Sequence, residues 1–221
     1  MRVVHVVGNS HVMYFVGREV PSDETLAWND DSISIRTFKA GNTGATIYGL
    51  DKKESETGAG PKIAKFVRDE KPQDLVIVLG DVDFREHMMR HLPHGVASVP
   101  EYLEGLMLLY GDYIDRELRP HVSGEIVLFE MVPFTKSFFM HKVRENVQYG
   151  ALYFLHEDFN RAIRKLAADR RYKTMTVANG FVDAAGFLRA DLATSDVEVH
   201  INPKIAMPHV VSELENVLGQ S

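Results

Sequence analysis

Short runs of apolar residues recur along the chain, and most of them have the length of a buried β-strand. Residues 74–79 and 125–130 are almost continuously apolar, which is typical of parallel strands covered on both faces. Residues 3–7 form a similar run, residues 32–38 alternate apolar with polar positions, and residues 173–177 form a weaker run. These patterns predict a mainly parallel sheet of about five strands, with residues 32–38 as a candidate edge strand.

Segments with helical spacing of apolar positions separate the strand-like runs. They are residues 61–70, 99–118, 149–168 and 207–218. Such alternation of strands and helices is typical of a parallel sheet with helices on both faces. We therefore expect an α/β protein with three α/β/α layers and a flavodoxin-like sheet. No repeat or linker divides residues 1–221, so we expect a single domain.

Composition narrows the classes of function. With 45% hydrophobic and 25% charged residues the chain has the profile of a globular protein, and its net charge of -6 argues against nucleic acid as a partner. The absence of cysteine excludes disulfides, thiol catalysis and cysteine-bound zinc. The apolar run near the amino terminus is too short for a signal peptide or a membrane span, so we expect a cytoplasmic protein without a membrane partner.

Candidate chemistry begins directly after the first predicted strand, with Gly8, Asn9, Ser10 and His11. In parallel α/β sheets ligands bind at the carboxyl ends of the strands, so Ser10 is expected at the edge where chemistry occurs. Two interpretations are open for its hydroxyl. It either caps the following helix or acts as a nucleophile beside main-chain N–H groups.

Three further polar segments follow other strands or precede the last helix. The glycines in residues 41–46 allow either a simple turn or close approach to a ligand. Residues 80–85 (Gly-Asp-Val-Asp-Phe-Arg) either cap a helix with a local ion pair or line a site. In residues 196–200, an aspartate precedes a histidine that it could orient as a base, although such a pair is often structural.

Taken in this order, the four segments resemble the sequence blocks of the SGNH hydrolases, the GDSL-type esterase superfamily. The matching residues are 8–11, 43–46, 80–83 and 196–200, and the resemblance spans residues 3–202. Residues 44–50, 55–58 and 79–85 together are similar to a branch of the superfamily whose third block reads Gly-Glu-(Ile/Val)-Asp-x-Arg.

The resemblance implies a serine esterase that needs no cofactor or metal and acts on a small O-acyl ester, such as an acetylated carbohydrate. Ser10 would be the nucleophile, His200 its base and Asp196 the carboxylate that orients His200. The oxyanion hole would consist of Ser10, Gly44 and Asn42. Further substrate contacts would come from Asn9, His11, Gly41, Asp81, Asp83 and Arg85.

Asn9 stands where the family usually has aspartate, and two further departures from the family pattern bear on activity. Val82 replaces the asparagine that completes the oxyanion hole in the family, which leaves Asn9, Asn42 or Arg85 as substitute donors. Asp196 and His200 are one residue further apart than in the family's Asp-x-x-His. Both departures keep three alternatives open: an active hydrolase, an O-acyltransferase, and a weak or inactive protein that binds a glycan or nucleotide-sugar.

Two other kinds of site are compatible with the sequence. His87, His91 and His94 could hold a metal ion, although Pro93 breaks any helix there. Residues 41–46 could cradle a phosphate or flavin, but no dinucleotide fingerprint or P-loop is present. The aromatic-rich segment 133–149 is interpreted either as a substrate wall or as a loop packed by its own aromatics.

Overall fold

A computed structural model describes residues 1–41, 44–52, 55, 57–88, 99–145, 150–195 and 200–219. Its six strands form one sheet in the order β2-β3-β1-β4-β5-β6. Adjacent strands are parallel except for β2 and β3, which are antiparallel. The strands are β1 (Arg2–Gly8), β2 (Thr25–Asn29), β3 (Ile33–Lys39), β4 (Asp74–Val78), β5 (Ile126–Phe129) and β6 (Lys173–Met175).

The helices cover both faces of the sheet, which confirms the predicted three-layer α/β fold. They are α1 (Ala59–Glu70), α2 (Val99–Tyr113), α3 (Lys136–Glu145), α4 (Ala151–Arg170), α5 (Ala178–Phe181) and α6 (Pro203–Gly219). Helices α1, α2 and α4 bury one apolar core against the sheet. Helices α5 and α6 and a 3₁₀ turn at Ser10–Phe15 bury a second core on the opposite face.

The edge of the sheet differs from the prediction. Strand β2 pairs with β3, so the expectation that residues 32–38 form an edge strand is wrong. The alternation in β2 is weak because only Leu26 and Trp28 are half-buried between exposed neighbours. Strand β3 is interior, and its polar Arg36 is accommodated by an ion pair with Glu70 of α1.

The aromatic segment that follows β5 is mainly a packed helix. Phe134 and Phe138 are buried in the core that contains α2 and α4, and α3 begins at Lys136. This outcome favours the interpretation of residues 133–145 as a packed element, while residues 146–149 lie outside the described part of the chain.

Helix α6 begins earlier than the predicted 207, because Asn202 and Pro203 form its start. The side chain of Asn202 accepts a hydrogen bond from the N–H of Lys204 at 3.1 Å, as an N-cap does. Proline at the first helical position lacks only an N–H that the helix does not use. No helix in the described ranges is long and apolar enough to cross a membrane.

Candidate active site

The turn that presents Ser10 depends on a glycine at the end of β1. Gly8 has a φ of 153°, and a Cβ atom there would lie 2.1 Å from the carbonyl oxygen of Val78 on β4. Only glycine tolerates this approach of the two strand ends. Asn9 then caps the 3₁₀ turn, since its side-chain oxygen accepts a hydrogen bond from the N–H of His11 at 3.0 Å. The sequence after Gly8 therefore fixes Ser10 at the carboxyl edge of the sheet.

Ser10 and His200 meet at this edge although 190 residues separate them in the chain. The Oγ of Ser10 lies 2.9 Å from the Nε2 of His200, which is hydrogen-bond distance. Both residues are half-buried, so the pair is accessible to solvent. A hydroxyl in contact with an imidazole nitrogen is the arrangement in which histidine removes the proton of a serine nucleophile.

Two residues that the sequence did not single out hold the His200 loop in place. The N–H of Thr194 donates to the carbonyl oxygen of His200 at 2.9 Å. The hydroxyl of Tyr14 accepts a hydrogen bond from the N–H of Ile201 at 3.0 Å and so connects the loop to the Ser10 turn. Tyr14 lies in an apolar stretch of the sequence that resembles ordinary core, so no local signal could reveal this contact.

His11 is buried directly behind the Ser10–His200 pair. Its ring stacks on Tyr14 with centroids 5.1 Å apart and meets the ring of His200 edge-on, also at 5.1 Å. Its Nε2 is buried and has no hydrogen-bond partner. Burial, opposed by the charge of Asp81, lowers the pKa of His11 to about 4, so the ring is neutral at pH 7.

Asp81 and Arg85 place a buried ion pair next to His11. The Nε of Arg85 donates to the carboxylate of Asp81 at 2.9 Å, and Asp81 is only 5% exposed. Burial by itself raises the pKa of Asp81, but attraction to the His11 ring in its protonated form, to Arg85, which also donates a hydrogen bond, and to His200 outweighs it and lowers that pKa below its usual value. Asp81 is therefore a fixed negative charge within range of both histidines.

Asp83 connects two of the predicted blocks. Its carboxylate accepts the main-chain N–H groups of Ile47 and Tyr48 at 2.7 and 3.0 Å, and it has no solvent exposure. Burial outweighs these hydrogen bonds and raises the pKa of Asp83 to about 7. This residue holds the turn after Gly44 against the third block, in the interior and away from solvent.

Gly44 and Val82 are in direct contact. A Cβ atom on Gly44 would lie 2.4 Å from the Cγ2 of Val82, so the valine side chain fills the space beside this glycine. An apolar group thus packs against the second block at the position that the sequence resemblance aligns with the family's asparagine. A side chain at residue 44 would therefore overlap that of Val82.

The other predicted site residues are placed as follows. The N–H of Gly41 is taken by the carboxylate of Asp23 at 2.9 Å, which leaves it unavailable to a ligand. Asn42 and Asp196 lie outside the described residues, as do His91 and His94.

His87 contacts the ring of Tyr48 with centroids 5.6 Å apart. In the described part of the chain, no three His, Asp or Glu side chains are grouped as metal ligands would be.

Among known proteins, only solved structures are found to be similar to this chain. No protein-family model matches the chain, and no curated protein matches it. An acetylxylan esterase from Geobacillus stearothermophilus is similar with a TM-score of 0.58 and 14% identity, over 100% of this chain and 95% of that one. A lipolytic protein assigned to the G-D-S-L family, from Desulfitobacterium hafniense, has a TM-score of 0.55 and 14% identity, over 96% and 99% of the two chains.

Two further structures of the Geobacillus esterase are described as catalytic mutants, in which alanine replaces a serine and a histidine. At such low identities the likeness establishes the architecture and leaves activity to be argued from this chain's own residues. The resemblance suggested by the sequence blocks is confirmed at this level: the chain has the three-layer fold of the GDSL-type, or SGNH, hydrolases.

Proposed function

We propose that this protein is a serine esterase that cleaves a small O-acyl ester, an acetylated carbohydrate in particular. The observation that carries the proposal is the 2.9 Å contact between Ser10 Oγ and His200 Nε2 at the carboxyl edge of β1. The similar structures support it, because an acetyl-xylooligosaccharide esterase superposes on this fold over 94% of its own length.

In the first step His200 Nε2 accepts the proton of Ser10 while Oγ attacks the ester carbonyl carbon. The carbonyl oxygen becomes an oxyanion, and the N–H of Ser10, which a helix leaves unused at its first residue, donates to it. The N–H of Gly44 is the second donor that we propose. His200 then gives its proton to the leaving alcohol, which departs as the carbon–oxygen bond breaks and the acyl group remains on Ser10.

In the second step a water molecule gives a proton to His200 and attacks the acyl carbon, and the acid is released as Ser10 recovers its proton. A sugar hydroxyl in place of water would make the same chemistry an acyl transfer. The charges of Asp81 and His200 attract each other, and we propose that Asp81 stabilises the imidazolium that forms in both steps. We propose Asp196 as the carboxylate that orients His200.

A second function is favoured by the contact between Val82 and Gly44. Val82, which packs beside the proposed donor Gly44, cannot donate the hydrogen bond that the family's asparagine gives to the oxyanion. Loss of one such donor costs about 100- to 1,000-fold in turnover. A protein with this defect would keep the pocket and bind a glycan without cleaving it.

Hydrolysis of p-nitrophenyl acetate and labelling with a fluorophosphonate separate the two functions. Wild type should turn over and be labelled, whereas Ser10→Ala and His200→Ala should lose about 1,000-fold or more in kcat and Ser10→Ala should lose the label. Ser32→Ala and His209→Ala are matched controls at exposed positions away from the pair. Folded wild type that neither turns over nor reacts would reject the esterase and favour the binding protein.

A further inference from the structure

A second cavity lies on the same edge of the sheet, above the carboxyl ends of β5 and β6. We call it the β5–β6 pocket. Glu130 directly follows β5, and Thr176 directly follows β6. Helix α4 supplies one wall and the turn that includes Gly186 supplies another. Its volume of about 360 Å³ falls within the range of sites for small molecules.

One face of α4 provides the polar groups of this wall. Tyr153, His156, Asn160 and Arg164 recur at intervals of three or four residues, which places them on the same side of a helix. Asn160 is occupied by the main chain of Met131, to which it both donates and accepts. The other three side chains also line the cavity, and the hydroxyl of Tyr153 donates to the carbonyl oxygen of Ala185 at 2.5 Å.

Glu130 is a buried carboxylate that pairs with Arg164. Its side chain is 5% exposed, and Oε2 accepts a hydrogen bond from Arg164 at 2.7 Å. Arg164 also contacts Glu157, so the pocket has two carboxylates and one guanidinium. Burial, only partly offset by Arg164, raises the pKa of Glu130. The excess of carboxylates disfavours an anionic ligand and favours one that donates hydrogen bonds.

His156 adds a second acceptor to the same wall. Burial lowers the pKa of its ring, against the opposing effects of Glu157, of hydrogen bonds to the main chain of Met131 and Val132, and of the charge of Asp81. The Nε2 atom is buried and without a partner, so those main-chain bonds belong to Nδ1. A neutral ring that donates through Nδ1 keeps a lone pair on Nε2, and that lone pair accepts a hydroxyl.

An aromatic surface adjoins these acceptors. Tyr153 is 38% exposed and packs against Phe187 with centroids 4.9 Å apart. A small neighbouring cavity of about 40 Å³ shares Tyr153 and His156 and is lined by Phe139. Hydroxyl acceptors beside an exposed ring face fit a neutral pyranose, which has many hydroxyl groups and apolar C–H faces.

The position of the pocket relates it to Ser10. Adjacent strands are about 4.8 Å apart, so β5 and β6 lie about 10 to 14 Å along the edge from β1. The charge of Asp81, beside the Ser10 turn, also acts on His156. This distance is within the reach of an oligosaccharide whose ester lies at Ser10.

We propose that the β5–β6 pocket is a carbohydrate subsite, in which Glu130 and His156 accept hydroxyl hydrogen bonds from a neutral sugar ring and Tyr153 contacts its face. The proposal deepens the proposed esterase function and rests on it for the identity of the ester. Binding of the sugar itself does not depend on turnover. The two ideas therefore fail separately.

Binding is tested by ligand-observed NMR with xylobiose, cellobiose and N,N′-diacetylchitobiose, which are neutral and have no O-acyl ester, added to the Ser10→Ala protein. At least one disaccharide should bind, and Glu130→Gln and His156→Phe should each weaken it about tenfold, the equivalent of one lost hydrogen bond. Asp158→Asn, on α4 but facing another groove, is the matched control. Binding of none of the three, binding unaffected by both pocket variants, or binding of a simple amine alone would overturn the subsite.

Kinetics locate the subsite relative to the ester. With an acetylated disaccharide, the two pocket variants should raise KM about tenfold, while p-nitrophenyl acetate, which has no sugar, should be hydrolysed as by wild type. Equal losses on both substrates would overturn the assignment, because they would place the residues in the machinery of ester cleavage. If wild type cleaves neither ester but binds a disaccharide through Glu130, the esterase fails and the subsite stands.

Discussion

Two regions on the carboxyl edge of the sheet are built from the same kinds of groups. Behind Ser10, Asp81 pairs with Arg85 beside the buried ring of His11. Above β5 and β6, Glu130 pairs with Arg164 beside the ring of His156. Each histidine has a lowered pKa and a buried Nε2 without a partner.

The two carboxylates nevertheless titrate in opposite directions. Attraction to protonated His11, to Arg85 and to His200 lowers the pKa of Asp81. Glu130 has the single guanidinium of Arg164 and the added repulsion of Glu157, so burial dominates and its pKa is raised. The first region thus keeps a negative charge close to a hydroxyl–imidazole pair, and the second presents acceptors to a cavity. The same residue types therefore suit chemistry in one place and binding in the other.

The largest expected difference between the two regions comes from neutralising each carboxylate. Asp81→Asn should lower kcat for p-nitrophenyl acetate by about 100-fold or more, because it removes the charge that stabilises protonated His200 and leaves Arg85 with Glu86 as its remaining carboxylate. Glu130→Gln should leave that kcat within about twofold. Stopped-flow or steady-state kinetics on both variants measure the contrast, and equal effects would abolish the distinction between the regions.

Stability against pH sharpens the comparison at the histidines. Folding lowers the pKa of His11 from about 6.5 to about 4, so the unfolded chain binds more protons between these values. The contribution of neutral His11 is complete above about pH 6.5 and is lost as the pH falls toward 4, on the order of 3 kcal/mol in all. Asp83 has the opposite effect on stability over much of this range. Because its pKa is raised to about 7 in the folded protein, its contribution to stability decreases as the pH rises.

His11→Phe isolates the effect, because Asp83 contributes equally to both proteins. Urea unfolding at pH 4.5 and pH 7 should show a smaller loss of stability at low pH in the variant than in wild type. His156→Phe should change the same difference less, because Glu157 and Asp81 both favour protonated His156. Identical pH dependence of wild type and His11→Phe would show that the ring is not held neutral.

The smallest expected effect tests the packing of Gly44 on Val82. Gly44→Ala should destabilise the protein by about 1 to 3 kcal/mol, since the new methyl group overlaps the valine Cγ2. Adding Val82→Ala should recover most of that loss, which a double-mutant cycle by thermal unfolding measures. If Gly44→Ala is just as destabilising in the Val82→Ala background, residue 44 needs glycine for its backbone and not for this contact.

Much of the fold could be predicted from the sequence, because the patterns of single elements report how each one is buried. Residues 74–79 and 125–130 are almost continuously apolar, and they contain the interior strands β4 and β5. Strand β2 was missed because its alternation rests on Leu26 and Trp28 alone. Its position follows from pairing with β3, which a local pattern does not record.

The candidate site divides in the same way. Gly8, Asn9 and Ser10 follow a strand directly, so their place at the sheet edge could be predicted from local sequence. The roles of Asp83 and Tyr14 could not, because each depends on a partner far away in the chain: the N–H groups of Ile47 and Tyr48 for one, and that of Ile201 for the other.

The sequence by itself determined a parallel α/β sheet, a serine at the end of β1 and a resemblance to the GDSL-type hydrolases. Only the tertiary structure decided that His200 reaches Ser10, that Val82 fills the space beside Gly44, and that Glu130 and His156 line one cavity. The physical reason is the distance along the chain between the residues that interact. Hydrophobic periodicity encodes the burial of one element, whereas a site is made where the ends of several elements are brought together by packing.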